Sequence, residues 1–134
     1  MSIIMDTGPL VSYIRRRDKY HHWAKQVFAG LSQEIRCCEA VMSEAAFLLA
    51  PSSQGTARLL GIADRMVFPF AYKEQKEVVD ALMLKYRNIP MSFADACLVA
   101  MYKPGTKILT VDSDFLIYRT LDGQPLDVIM PETG

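Results

Sequence analysis

Two short runs of this chain, Ile3-Ile4-Met5 and Ile108-Leu109-Thr110-Val111, are apolar at almost every position and leave no side for water to face. A strand with one wet face alternates apolar and polar residues, whereas a strand apolar on both faces belongs in a sheet covered on both sides. The stretches between them carry apolar residues at helical spacing. Strands of this kind alternating with helices predict a three-layer α/β/α sandwich with a mostly parallel central sheet of four to five short strands. At 134 residues and 51% hydrophobic composition the chain is long enough for one core and short for two, so a single domain over 1–134 is expected.

The order of elements follows from local signals. A strand over 2–5 stops at Asp6-Thr7-Gly8-Pro9, where Gly permits a tight turn and Pro suits the first turn of a helix. Leu10, Val11 and Ile14 mark the apolar face of that helix, and Arg15-Arg16-Arg17-Asp18-Lys19 ends it with cations, which the helix dipole favours there. A second helix is expected over 21–31 on the stripe Trp23, Val27, Phe28 and Leu31. His21 and His22 are adjacent, so they leave that helix in different directions and read as surface or packing residues. A strand over 35–38 precedes a helix whose face is Val41, Ala45, Leu48 and Leu49 and which Pro51 closes. A shorter helix over 56–63 leads to an edge strand over 66–70, weakened by Pro69. Helices over 73–86 and 92–102, a strand over 107–111, a helical turn over 114–119 and a last strand over 127–130 complete the chain.

Composition sets outer bounds. Because 15 Lys+Arg balance 15 Asp+Glu, net charge recruits no nucleic acid, and a polyanion would have to meet a local basic patch. Cys37, Cys38 and Cys97 form no C-x-x-C, which suits small reduced side chains in a core better than a disulfide framework. No apolar run approaches the roughly 20 residues of a membrane span, and no charged leader opens the chain. The protein is therefore expected to be soluble, unprocessed and cytoplasmic, with no membrane partner.

Four acids stand where acids are least expected: Asp6 after Ile3-Ile4-Met5, Glu44 inside Val41 to Leu49, Asp95 inside Phe93 to Val99, and Asp112 after Ile108 to Val111. A buried carboxylate is costly unless it is paired, hydrogen-bonded or holding a metal. In open parallel sheets the ligand crevice lies beyond the carboxyl ends of the strands, which is where Asp6 and Asp112 fall. Glu44 and Asp95 sit one turn into helices that begin at that same edge, and both are expected on core-facing stripes. Any one of these acids alone is an ordinary cap or dipole partner, and four caps would leave the same letters. Their shared placement at one sheet edge favours a common site. Asp18, Asp64, Asp80, Asp122 and Asp127 read instead as surface or turn acids.

Two like charges about 4 Å apart repel by roughly 4 kcal/mol at an effective dielectric near 20, so a cluster of this kind asks for a counter-charge. Hard oxygen donors select Mg²⁺ or Mn²⁺, and Mg²⁺ typically keeps waters in several positions. A metal-bound water is a stronger acid than bulk water, and the metal neutralises phosphate oxygens, which suits hydrolysis of a phosphodiester. Thr7, Ser43, Thr110 and Ser113 border the acids and are candidates for orienting waters or carboxylates.

Taken together, Ile4-Met5-Asp6-Thr7-Gly8-Pro9-Leu10, Ser43-Glu44, Phe93-Ala94-Asp95-Ala96 and Leu109-Thr110-Val111-Asp112-Ser113-Asp114-Phe115 resemble the PIN-domain family, especially its VapC-type toxin ribonucleases. The resemblance implies a Mg²⁺ or Mn²⁺ site built by Asp6, Glu44, Asp95 and Asp112, and endonucleolytic cleavage of RNA by a metal-activated water. It further implies a homodimer and inhibition by a small antitoxin protein. Members of the family vary in which residue of the last motif coordinates; Asp112 is favoured here, with Asp114 in support. Arg15, Arg16, Arg17 and Lys19 are the chief basic cluster, read either as a solvated helix end or as a contact for the RNA backbone. Tyr20 and Trp23 are near enough in sequence to stack on bases, although Trp23 fits the core stripe better.

Three rivals compete with this reading. Asp6-Thr7-Gly8 is also an aspartic-protease motif, but that enzyme needs a mostly β chain and leaves the other acids unexplained. A phosphatase of the haloacid-dehalogenase type wants Asp-x-Asp after its first strand, and position 8 is Gly. The remaining alternative is a non-catalytic PIN-like RNA- or protein-binding module in which the acids only cap helices.

Overall fold

The N-terminal apolar run forms β1 (Ser2–Met5), in which Ile3, Ile4 and Met5 have no exposed surface. Successive strand residues face opposite ways, so complete burial at three consecutive positions means that both faces of the sheet are covered. The computed structural model describes residues 1–132; Thr133 and Gly134, the end of the expected domain, lie outside the described residues. The other strands are β2 (Glu34–Arg36), β3 (Lys107–Leu109) and β4 (Val128–Ile129). They form a four-stranded sheet of order β2-β1-β3-β4 with every neighbouring pair parallel. Ile3 pairs with Ile35 on one side and Lys107 on the other. Met5 lies beside Leu109, and the Asp6 amide donates to the Leu109 carbonyl at 3.0 Å, so the chain leaves β1 and β3 side by side.

Six helices flank this sheet: α1 (Thr7–Ile14), α2 (His21–Gly30), α3 (Glu39–Leu49), α4 (Ser53–Ala63), α5 (Tyr72–Lys85) and α6 (Phe93–Met101). α1 packs on α2, α3 and α4, α5 packs on α6, and α6 reaches both α3 and β1. The core joins Ile4 and Ile108 of the sheet to Val41, Leu82 and Leu98 of the helices. Cys37, Cys38 and Cys97 are free and buried in it, as small apolar side chains would be.

Several local expectations change. The edge strand over 66–70 shrinks to a single parallel bridge between Val67 and Arg36. The Val67 amide donates to the Ile35 carbonyl at 2.9 Å, but Pro69 has no N–H with which to extend the ladder. α1 ends at Ile14 with Arg15 in extended conformation, so the arginine run lies beyond the helix and not in its last turn. Asp18 organises the loop that follows, its Oδ1 accepting from the Ser12 hydroxyl at 2.7 Å and the Tyr20 amide at 2.8 Å. His21 is a packing residue there, its Nδ1 donating to the Ser12 carbonyl at 2.8 Å. α4 starts earlier than its apolar stripe because the Ser52 hydroxyl caps it, accepting from the Gly55 amide at 3.0 Å.

Gly8 also has a different reason from the one its turn-like setting suggests. It lies inside α1, and a Cβ there would sit 2.4 Å from Val111 Cγ2. Only a residue without a side chain lets the first turn of α1 pack against the segment that joins Thr110 to Asp112.

Candidate active site

Asp6 is the residue on which the sheet edge is built. It caps α1, one carboxylate oxygen accepting from the Thr7 amide at 2.8 Å and the other from the Thr110 hydroxyl at 2.7 Å. Thr110, itself fully buried, leaves β3 beside β1, and its hydroxyl also accepts from the Asp112 amide at 2.9 Å. One threonine thus ties the ends of both central strands together. Asp6 is 6% exposed, and burial pushes its carboxyl up to about 7 against the pull of the Thr110 and Thr7 hydrogen bonds, with the Asp95 and Asp112 charges adding to the rise.

Asp95 arrives on α6. It completes a capping box, its amide donating to the Ser92 hydroxyl at 3.0 Å and its Oδ2 accepting from the Ser92 amide at 3.3 Å. The Tyr118 hydroxyl donates to the same Oδ2 at 3.3 Å. Partial burial raises the Asp95 carboxyl, the Ser92 hydrogen bonds oppose the rise, and the Asp112 charge adds to it. Asp112 caps the short 3₁₀ turn Ser113–Leu116, accepting from the Asp114 amide at 2.9 Å. The charges of Asp95, Asp114 and Asp112 all reach Tyr118, whose hydroxyl burial and those charges hold in its protonated form. Asp6, Asp95, Asp112 and Asp114 therefore share one electrostatic neighbourhood.

Glu44 joins from α3 less closely. The Thr7 hydroxyl donates to Glu44 Oε1 across a long 3.5 Å, so Thr7 bridges Asp6 and Glu44. Its expected place on the core stripe is wrong: Glu44 is exposed, and the stripe that enters the core is Val41, Ala45 and Leu49. Leu48, which shares the Glu44 face one turn on, is exposed with it. Ser43 and Ser113 are exposed and make no hydrogen bond to these acids among the described residues. Three of the four acids, Asp6, Asp95 and Asp112, also serve as helix-start residues, so the capping explanation and the site explanation fall on the same side chains. Tyr118 could not have been found from spacing, since it lies 23 residues from Asp95 and meets it only through the tertiary fold.

The donors gathered here are carboxylate and hydroxyl oxygens with no paired cation. Ion pairs among the described residues are Arg36 with Glu34 and Lys76 with Asp80, both on other elements. An all-oxygen set suits a hard divalent cation. Among the described residues no three His, Cys, Asp or Glu side chains stand arranged to hold one metal ion directly. The fit is thus one of donor chemistry, with water needed at several positions.

The all-parallel four-stranded sheet flanked by helices is a PIN-like fold, and in this chain acids are drawn together beyond the ends of its two central strands. Among solved structures, the chain is similar to VapC20 of Mycobacterium tuberculosis, described as a sarcin-ricin loop cleaving toxin, with a TM-score of 0.76 and 21% identity over 92% of this chain and 99% of that one. It is also similar to VapBC2 of Rickettsia felis, solved bound to a DNA fragment from its promoter, with a TM-score of 0.66 and 13% identity over 98% of this chain and 100% of that one. At those identities the likeness is one of fold. No family model matches the sequence, and no curated protein matches it.

Proposed function

We propose that the chain, one domain over 1–134, is a metal-dependent endoribonuclease of the VapC type, the toxin of a type II toxin–antitoxin pair acting in the cytoplasm. The observation that carries this reading is Asp6: a buried carboxylate, held by hydrogen bonds on both oxygens, within reach of the Asp95 and Asp112 charges. Such a group is unfavourable when ionised and alone, and becomes favourable when a cation shares it.

Asp6, Glu44, Asp95 and Asp112 would hold Mg²⁺ or Mn²⁺, with Asp114 in support. Bound there, the metal supplies a water of lowered pKa and neutralises phosphate oxygens during hydrolysis of the RNA backbone. The chain's own part is to fix the carboxylates: Thr110 and Thr7 set both oxygens of Asp6, and Ser92 and Tyr118 set Asp95. A small antitoxin and a second copy of the chain are the proposed protein partners, supported by the fold likeness to the VapC20 and VapBC2 structures.

A second reading, the non-catalytic PIN-like binding module, has one observation in its favour: three of the acids have local capping roles that need no metal. Titration with Mn²⁺ separates the two. The nuclease reading expects a rise in melting temperature and divalent-dependent cleavage of a mixed RNA panel. Asp95→Asn, which keeps an oxygen for the capping box, should lower that cleavage by 100-fold or more with the fold intact. A mutant that cuts as fast as the parent overturns the catalytic assignment, and a parent that neither gains stability nor cuts supports the binding module.

A further inference from the structure

Where the ends of α1 and α3 meet the start of α4, a groove of about 860 Å³ is lined by Arg15, Arg16, Arg17 and Arg58, with Leu48 and Pro51 among its apolar residues. Its volume is that of a small-ligand site, typically about 300–1,000 Å³. Arg15 and Arg58 are held in place, Arg15 donating to the Leu48 carbonyl and Arg58 to the Ile14 carbonyl at 3.4 Å. Arg58 also lies 5.9 Å from the centre of the Tyr13 ring. Arg16 and Arg17 are exposed. None of these arginines belongs to an ion pair, the pairs among the described residues being Arg36 with Glu34 and Lys76 with Asp80. Lys19, grouped with them in sequence, lies instead over the Tyr20 ring at 5.1 Å.

Concentrated positive charge beside apolar side chains fits a ligand with anionic groups on a flat apolar body. Guanidinium groups match phosphate geometry in pairs and stack on planar rings, which is the chemistry of a nucleotide. The groove and the acids lie along the same two helices, although none of the acids lines the groove. Asp6 caps the start of α1, which ends at Ile14 after eight residues, or about 12 Å at the helical rise. Glu44 and Leu48 share one face of α3, a single turn apart. A strand laid over the acids therefore meets the groove along the same two helices.

We propose that this groove is a subsite for one nucleotide of a single-stranded RNA, its phosphates on the arginines and its base against Leu48 and Pro51. The identity of the ligand as RNA rests on the nuclease reading; the site itself does not. The test is binding of a fluorescein-labelled ten-nucleotide single-stranded RNA in EDTA at several salt concentrations. Arg16→Ala/Arg58→Ala should bind at least tenfold more weakly, with a salt slope shallower by about 1 to 1.5, the loss of two phosphate contacts. An abasic strand of equal length should bind the parent more weakly than RNA does, and Leu48→Ser should narrow that gap. If the double variant loses its thermal transition, Arg16→Glu at an exposed position takes its place.

Unchanged affinity and slope in the variant overturn the subsite, as does an abasic strand that binds the parent as tightly as RNA. A ten-residue polyglutamate peptide that displaces the RNA more effectively than unlabelled RNA also overturns it, in favour of an acidic protein partner. Failure of the nuclease reading looks different: the variant loses RNA binding while the parent cuts nothing. A parent that cuts RNA with a variant that binds like it leaves the nuclease reading standing and removes the groove.

Discussion

The two ends of α1 hold opposite charge in opposite ways. At its start Asp6 is buried, and each carboxylate oxygen has a fixed donor from Thr7 or Thr110. Beyond its end Arg16 and Arg17 stand in solvent with no carboxylate partner among the described residues. A buried charge is set in position before any ligand arrives and weakens the fold until one does, whereas an exposed one keeps its hydration and leaves the fold unaffected. A net charge of zero conceals this arrangement: 15 cationic and 15 acidic residues balance in sum while the fold gathers acids at one end of α1 and arginines at the other.

The largest expected effect is a pH dependence confined to the acid end. Asp6 has its carboxyl raised from 3.8 to about 7, so between those values the folded chain holds a proton that the unfolded chain has lost. Stability in metal-free buffer should therefore fall progressively from about pH 4 to about pH 7 and level off above, by up to about 4 kcal/mol in all. The raised Asp95 carboxyl acts in the same direction. Urea denaturation from pH 4 to 8 in EDTA measures it. Asp6→Asn should flatten the slope and Arg16→Ala should leave it alone; equal slopes in the parent and Asp6→Asn would erase the contrast between the two ends.

Next in size is Thr110→Val, which keeps the shape and removes the hydroxyl that serves Asp6 and the Asp112 amide at once. Leaving the buried Asp6 carboxylate and the half-buried Asp112 amide without that partner should cost about 2 kcal/mol at pH 8 by urea denaturation. The loss should be smaller at pH 5, where Asp6 is protonated and a weaker acceptor. Gly8→Ala should cost less, about 1–2 kcal/mol, because the new methyl collides with Val111 Cγ2 while helix propensity returns part of the loss. Adding Val111→Ala should restore stability; a Gly8→Ala variant as stable as the parent would mean that α1 does not press on the Asp112 segment.

What could be read from the letters divides along the same line. The strands were legible because Ile3-Ile4-Met5 and Ile108-Leu109 are apolar on both faces, and Asp6 and Asp112 were placed by the rule that parallel sheets open at their carboxyl ends. Glu44 was misplaced because Val41, Ala45, Leu48 and Leu49 span two neighbouring helix faces, and only the packing of α3 against α1 and α6 decides which one is buried. The strand expected over 66–70 reduces to a lone bridge at Val67 because Pro69 cannot donate to the ladder, which periodicity does not weigh. Arg58 was invisible because its place beside Arg15 comes from docking α4 on α1. Gly8 was read as a turn residue since its true constraint, Val111, lies about a hundred residues away in sequence.

The smallest expected effect tests whether the acid end is held as tightly at Asp95 as at Asp6. Tyr118→Phe removes one 3.3 Å hydrogen bond to Asp95 and keeps the ring, whose edge contacts with Phe115 and Tyr86 have centroid distances of 5.3 and 5.1 Å. Stability should change by about 1 kcal/mol or less. The informative readout is the Asp95 carboxyl itself, which this hydrogen bond pulls down. Without it the carboxyl should rise further, so metal uptake, followed as the Mn²⁺-induced gain in melting temperature, should need a higher pH in the variant than in the parent. An unshifted profile would make Tyr118 a packing residue only, and would place the rigid part of the edge entirely at Asp6, Thr7 and Thr110.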